Sequence, residues 1–474
     1  MAQFSQNDIE QIQSHGLSVS DVDQQISDFK RGFPFASIIS AATINNGIFP
    51  MLSDEYAKYY ESVQNNYKIT KFVPASGAAT RMSKDLFEFL ETNNINKITQ
   101  TTLDNLKDFA FYDELIQILP TNASDKVIIE HIITETGLNY GNLPKGLITF
   151  HKYQTETRSA IAEHLVEGAH YASSNGETNI HFTVSPEHID GFLKHLDKII
   201  PIYQSRYGTR YNISISTQKS ETDTIAVNPD NTPFRNDDNT LLFRPAGHGA
   251  LIKNLNKIDS DIIFIKNIDN VCNDQLRNDT ILHKRALAGL AIKIQTQIFE
   301  YQTALDSGTA DLNQIRKFIE QNLGIRKFAD SDIAKILNRP LRICGMIRNT
   351  GAPGGGPFWI KDKDGTETLQ IIESSQISPD QKHIMTNGEY FNPVDLICMP
   401  YDYKGNKFNL DDFIDYSAGF ISEKSKNGRP LRAMERPGLW NGAMAYWNSV
   451  FVEIPASTFT PAKTIIDLLG YGHK

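Results

Sequence analysis

The spacing of apolar positions changes several times along this 474-residue chain. Near the start, Ile9, Ile12, Val19, Val22, Ile26 and Phe29 recur at roughly helical intervals. Ser53-Asp54-Glu55 has the composition of a helix start ahead of Tyr56, Tyr59 and Tyr60. Residues 1–66 therefore read as a helical N-terminal extension. From Lys68 the pattern tightens. Ile69-Thr70-Lys71-Phe72-Val73 is a short β-branched and aromatic strand, followed by a small-residue loop at 74–81 and a helix over 82–90. Between about 92 and 142 helical spacing returns, with Leu103, Leu106, Phe109, Leu115, Ile118 and Leu119 on one face. This stretch reads as a helical insertion.

Strand signals resume at Leu147-Ile148-Thr149-Phe150, at 179–184, at 212–217 and at Ile262-Ile263-Phe264-Ile265. Helical stretches over 158–172 and 187–200 separate them. Strands alternating with helices predict an α/β domain over 67–474, with a mixed, mostly parallel sheet covered by helices on both faces. There is no internal repeat and no low-complexity tract. Gly351-Ala352-Pro353-Gly354-Gly355-Gly356 is the one glycine-rich loop; it fits a mobile loop beside a site or a plain linker.

Composition narrows the class. With 40% hydrophobic and 22% charged residues, the chain is globular rather than disordered. A net charge of -9 argues against a nucleic-acid-binding surface, yet allows a local basic pocket for a phosphorylated small molecule. No apolar run approaches the ~18 residues of a membrane helix, and the polar start Met1-Ala2-Gln3-Phe4-Ser5 lacks a signal-peptide core. The expectation is a cytoplasmic protein with no membrane partner. Cys272, Cys344 and Cys398 lie far apart and read as small buried hydrophobes.

The chemistry concentrates in a few segments. Pro245-Ala246-Gly247-His248-Gly249-Ala250 is a turn opening a helical stretch, where glycine lets backbone approach a ligand closely. Soon after, the apolar strand ends in Asn267-Ile268-Asp269-Asn270, a place where a carboxylate can hold a hard cation against phosphate. Each piece alone reads as a surface turn or an ordinary core strand. Together they point to a nucleotide and its metal. The loop of Ala75, Ser76, Gly77, Ala78, Ala79 and Thr80 can offer backbone N–H groups to phosphate oxygens, and Arg81 adds a bidentate donor. It lacks the Gly-Lys-Ser/Thr ending of a Walker loop, and tight helix–sheet packing would explain it as well. Lys145, in Leu143-Pro144-Lys145-Gly146, either reaches the same phosphates or is a solvated turn lysine. Gln218 ends a strand, where its amide can pair with a pyrimidine edge.

In order, these segments resemble the UDP-glucose and UDP-N-acetylglucosamine pyrophosphorylase group of sugar nucleotidyltransferases. Gly77-Ala78-Ala79-Thr80-Arg81-Met82 is similar to that group's Gly-x-Gly-Thr loop, with Ala79 for the second glycine. Pro144-Lys145 resembles its Pro-Lys, set apart here by the helical insertion. Gln218, the Gly247-His248-Gly249 turn and Asn267-Ile268-Asp269-Asn270 resemble its base-reading Gln, its Pro-Gly-His-Gly turn and its Asn-x-Asp-Asn strand end. Ile372-Glu373-Ser374-Ser375, Phe391-Asn392 and Pro461-Ala462-Lys463-Thr464 resemble three further motifs. The likeness covers roughly 67–470 and describes a divergent branch.

The resemblance implies a Rossmann-like, GT-A-like nucleotidyltransferase fold and a Mg²⁺-dependent transfer from a nucleoside triphosphate, UTP favoured, to a sugar 1-phosphate. On it, Asp269 holds the metal and Arg81, Lys145 and Lys463 offset phosphate charge. Gln218, Gly247, His248 and Gly249 hold base and ribose, and Glu373 and Asn392 meet sugar hydroxyls. Lys424, in Ser422-Glu423-Lys424-Ser425-Lys426, is either a further phosphate-binding lysine or part of a charged surface turn. Two other readings stay open: a nucleotide- or nucleotide-sugar-binding regulatory protein of the same fold without turnover, and a transferase for a non-sugar phosphate.

Overall fold

The computed structural model describes residues 4–77, 79–349, 351 and 354–474. Two helices open the chain, α1 (Gln6–Ser14) and α2 (Val19–Arg31). Each begins with a reciprocal capping box, Ser5 with Asp8 and Ser18 with Asp21. Ile12, Val22, Ile26 and Phe29 bury against Ile225, Val227, Leu241 and Met434 from later in the chain. Helix does not run through 1–66 as the spacing predicts. β1 (Ile38–Ala41) joins a small antiparallel sheet, and β2 (Gly47–Phe49) joins the central one. Ile38 and Ile48 are buried there by strands from the far end of the chain, a long-range contact that local periodicity does not report.

Helix α3 (Asp54–Val63) leads into β3 (Ile69–Pro74) and helix α4 (Lys84–Thr92). Residues 97–133 carry three short helices, Lys97–Asp104, Tyr112–Ile118 and Asp125–Ile133. The strand expected at 147–150 does not join the central sheet. Lys145–Leu147 is a 3₁₀ turn, and Thr149–Lys152 pairs with Thr157–Ser159 as a hairpin. Gly146 explains the path. A Cβ there would lie 2.7 Å from Phe192 Cζ, so the turn is pressed onto helices rather than extended beside a strand.

The chain then alternates as expected: α5 (Ala160–Tyr171), β4 (Glu177–Thr183), α6 (Ile189–Tyr207), β5 (Arg210–Ser216), β6 (Ile262–Lys266) and the long α7 (Arg277–Asp306). Gly289 lets α7 lie directly on α3, since a Cβ there would come within 2.0 Å of the Tyr56 carbonyl oxygen. Next come β7 (Leu341–Arg348), the small-sheet strands β8 (Gly356–Lys361) and β9 (Glu367–Ile372), β10 (Asp395–Met399), the hairpin β11 (Phe420–Lys426) and β12 (Arg429–Glu435), and β13 (Asn448–Glu453). Among the described residues, no helix is long and apolar enough to cross a membrane.

The central sheet runs β2–β13–β7–β10–β6–β3–β4–β5, with β10 the antiparallel strand in the middle. Every residue of β6 is buried, as expected of a strand covered on both faces. Register fixes where the loops emerge. Ile265 pairs with Phe72, Pro74 with Thr183, Thr183 with Ser216, and Lys266 with Asp395. The segments 75–81, 217–218 and 267–270, and Asn392 before β10, therefore gather at one sheet edge. This carboxyl edge is where open α/β sheets place their ligands.

Candidate functional site

Three residues far apart in sequence meet at that edge. Lys145 Nζ donates to Asp269 Oδ2 at 2.7 Å, and Lys463 Nζ donates to the same oxygen at 3.0 Å. Lys145 also donates to the Ala462 carbonyl at 2.7 Å. Lys145 and Asp269 are buried, whereas the Lys463 side chain is 60% exposed. Burial pushes the Asp269 carboxyl up, but the two ammonium groups outweigh it and hold the pKa below the usual carboxylate value. The segment carrying Lys463 is strapped to the Asp-Asn turn. Ala462 N–H donates to the Asp269 carbonyl at 3.0 Å, and Thr460 N–H donates to Asn270 Oδ1 at 2.9 Å.

The loop after β3 lies alongside. Arg81 is exposed, with no ion pair or hydrogen bond among the described residues. Ala75 N–H is committed to the Thr183 carbonyl and Ala79 N–H to the Leu143 carbonyl, so neither can cradle a phosphate as expected. Ser76 is half-buried, Gly77 and Thr80 are exposed, and Ala78 lies outside the described residues, as do Ala352 and Pro353 of the glycine-rich loop. Gln218 is half-buried, and its Nε2 is enclosed without a hydrogen-bond partner.

The Gly-His-Gly turn is seated against 435–440. Gly247 has φ 79°, and a Cβ on it would lie 2.7 Å from Glu435 Oε2. A Cβ on Gly249 would lie 2.0 Å from the Pro437 carbonyl oxygen. His248 stacks on Trp440 with ring centroids 4.0 Å apart, and its Nδ1 accepts from Leu439 N–H at 3.0 Å. Burial pushes its pKa down to about 4, leaving a neutral ring whose Nε2 carries the proton. His248 and Glu373 share a cavity of about 150 Å³. Burial, then the nearby Glu435, raises the Glu373 carboxyl. Asn392 uses Oδ1 to accept Val394 N–H at 3.1 Å, and its own N–H binds the Gly355 carbonyl. Lys424 is not brought to this site. It is exposed on β11, in a hairpin that contacts 227–237. A larger cavity, about 580 Å³, is lined by Phe35, Arg339, Asp362 and Tyr446 and contains none of the expected site residues.

Beneath the sheet edge lies a second charge cluster that sequence reasoning missed. Glu167 accepts from Lys71 at 2.8 Å, Lys266 at 2.7 Å and Tyr171 Oη at 2.9 Å, all fully buried. Lys284 pairs with Asp395 beside them. The available signal was a lysine inside each of two otherwise apolar strands, Lys71 and Lys266. Glu435, Arg436 and Asn441, which line the smaller cavity, were also missed, because no short motif marks them.

The fold is that of the pyrophosphorylase-type nucleotidyltransferases. It is similar to a uridine diphosphate N-acetylglucosamine pyrophosphorylase from Trypanosoma brucei solved with an inhibitor, at a TM-score of 0.51 and 10% identity over 95% of this chain and 74% of that one. A mutant UDP-glucose pyrophosphorylase from Leishmania major has a TM-score of 0.48 and 12% identity over 99% and 79% of the two chains. A UDP-glucose phosphorylase from Trypanosoma brucei has a TM-score of 0.48 and 13% identity over 98% and 77%. No curated protein sequence matches the chain. The chain belongs to the family described as domain of unknown function (DUF4301), which matches residues 5–474.

Proposed function

We propose that this protein transfers a nucleotidyl group from a nucleoside triphosphate, UTP favoured, to a sugar 1-phosphate. A phosphate oxygen of the sugar attacks the α-phosphorus, the α–β bridging P–O bond breaks, and pyrophosphate leaves. No protein nucleophile is needed, so positioning and charge neutralisation carry the reaction. The observation that carries this reading is the convergence of Lys145 and Lys463 on Asp269 at the carboxyl edge. Two ammonium groups held by one carboxylate are poised to exchange it for phosphate oxygens. Arg81, exposed and unpaired, supplies a third cation. The enclosed, unpartnered Nε2 of Gln218 supports base pairing.

Among the described residues, no group of three or more His, Cys, Asp or Glu side chains converges into a metal cage. Asp269 alone fits the way Mg²⁺ is usually bound, by one or two carboxylates together with substrate phosphates. Bound so, Mg²⁺ would neutralise charge on the transferring phosphates. Asp269 is its protein ligand in this proposal, and Lys145 and Lys463 pass to the phosphates. A second reading, binding without turnover, is favoured by the commitment of the Ala75 and Ala79 N–H groups, which narrows the phosphate cradle.

The test is pyrophosphate release with Mg²⁺, the four nucleoside triphosphates and a panel of sugar 1-phosphates, with Asp269→Ala as control. Release with UTP and one sugar, lost in the variant, is the expected result. Thermal stabilisation by UTP or a UDP-sugar without release would shift the assignment to a binding protein.

A further inference from the structure

The 150 Å³ cavity is lined by two carboxylates and one guanidinium, that of Arg436, and so carries a net negative charge. Glu373 and Glu435 both line it. Among the described residues neither carboxylate has an ion pair and Glu435 has no side-chain hydrogen bond, whereas the Trp440 and Asn441 side chains donate to Glu373. With both on its wall, the Glu435 charge adds to burial in raising the Glu373 carboxyl. Asn441 also lines it, almost fully buried; its Nδ2 donates to the Ile371 carbonyl, and its Oδ1 has no partner. An enclosed, unpartnered acceptor such as Asn441 Oδ1, beside a carboxylate without an ion pair, calls for a donor from outside. Donors at its wall include the Nε2–H of neutral His248, the Ser375 hydroxyl and the unpartnered Nε of Arg436. Gly247 is the residue that makes room for Glu435, since any side chain there would collide with its carboxylate.

Resting on the transferase reading above, we propose that the cavity formed by Glu373, Glu435, His248 and Asn441 seats a protonated amine on the acceptor, so that the preferred substrate is an amino-sugar 1-phosphate. An ammonium offers three donors and a positive charge to two carboxylates and an amide oxygen, satisfying all three at once. A neutral hexose supplies donors without the charge. A uronic acid would bring a third carboxylate and is excluded. An N-acetylated amine loses its charge and two donors. Glu435 is the specificity-determining residue, because Glu373 alone would be served by hydroxyl groups.

The experiment is calorimetric titration of the full chain with glucosamine 1-phosphate, glucose 1-phosphate, N-acetylglucosamine 1-phosphate and glucuronic acid 1-phosphate, with pyrophosphate release measured in parallel. Glucosamine 1-phosphate is expected to bind at least tenfold tighter than glucose 1-phosphate, and glucuronic acid 1-phosphate weakest. Glu435→Gln, which keeps the shape and removes the charge, is expected to cut the amine preference below threefold. Glu373→Gln serves as a second variant should Glu435→Gln fold poorly. Equal affinity for the amine and the hydroxyl sugar, a preference unchanged in both variants, or no sugar phosphate bound would overturn the proposal. Release with glucose 1-phosphate and no amine preference removes this subsite but keeps the transferase. An amine preference without release with any triphosphate removes the transferase but keeps the subsite.

Discussion

Glu167 and Asp269 are both carboxylates shared by two lysines, and the strand and turn of 262–270 contribute to both clusters. Lys266 on β6 reaches Glu167, while Asp269, just past the strand end, receives Lys145 and Lys463. Their surroundings differ. Every group on Glu167 is sealed inside the protein, whereas Asp269 is closed by Lys145 on one side and opened to solvent by Lys463 on the other. A sealed cluster has no access to a ligand, and its energetics are those of a buried charge that must keep its partners. The Asp269 cluster is buried on its Lys145 side, yet through solvent-exposed Lys463 it can change partners. Position relative to the sheet edge, more than residue type, separates scaffold from candidate chemistry.

The sharpest way to break that contrast is to remove the sealed carboxylate. Glu167→Gln leaves the Lys71 and Lys266 ammonium groups buried without their counter-charge. Burial raises the Glu167 carboxyl, and the two lysines more than reverse it, holding its pKa well below the usual value. We expect a loss of about 3–5 kcal/mol in unfolding free energy, read from urea denaturation. A loss under ~1 kcal/mol would mean that water reaches Glu167 and the two clusters are alike.

Asp269→Asn should behave in the opposite way. Lys145 keeps the Ala462 carbonyl and Lys463 turns to solvent, so unfolding free energy should move by no more than about 1–2 kcal/mol. Pyrophosphate release should fall about 100-fold or more, the scale for losing a preorganised electrostatic group. Lys463→Ala should fall less, about 10-fold, with stability within ~1 kcal/mol because the Lys463 side chain is largely exposed and Asp269 keeps Lys145. The acid limb gives the sign. A carboxyl with a depressed folded pKa stabilises above its unfolded value, near 3.8, and loses that contribution as pH falls through the folded value. Acid unfolding of Asp269→Asn should therefore have a shallower slope below pH 4 than the parent. An Asp269→Asn protein as destabilised as Glu167→Gln, or one with full activity, would erase the distinction.

The alternation of strands and helices, and with it the fold class, was legible because β3, β4, β5 and β6 each carry a strand signal in their own local sequence. Lys145, Asp269 and Lys463 were each marked as candidates, yet only the sheet register brings them to one oxygen. The parts that escaped are non-local. Ile38 and Ile48 become strand residues by pairing with β8 and β13, and 147–150 is diverted because Gly146 is clamped against Phe192. The Glu373–Glu435 pair joins a short turn to a distant hairpin, which no spacing rule connects. The expected phosphate cradle is narrower for a similar reason, since the carbonyls of Thr183 and Leu143 take two of its donors.

The smallest effect probes the sealed cluster from its cationic side. Three lysines, Lys71, Lys266 and Lys284, face two carboxylates, Glu167 and Asp395, so one cation is in surplus. Burial lowers both Lys71 and Lys284, and Lys71 is lowered to about 7. At Lys71, Lys266 and Lys284 add to burial, and Glu167 only partly offsets them. Between pH 7 and the unfolded value near 10.5, the unfolded chain holds a proton that the folded one has released. Stability from this group therefore rises with pH across that window, and its full cost is present below pH 7. Lys71→Met removes the surplus while Glu167 keeps Lys266 and Tyr171. We expect a change of no more than about 1 kcal/mol at pH 7, since an apolar side chain of similar length replaces a strained cation. We also expect a shallower rise in stability from pH 7 to 10, measured by urea midpoints. An unchanged slope would place the surplus charge on another lysine. A loss as large as that of Glu167→Gln would mean that the cluster needs all three cations, so that charge count rather than enclosure sets its stability.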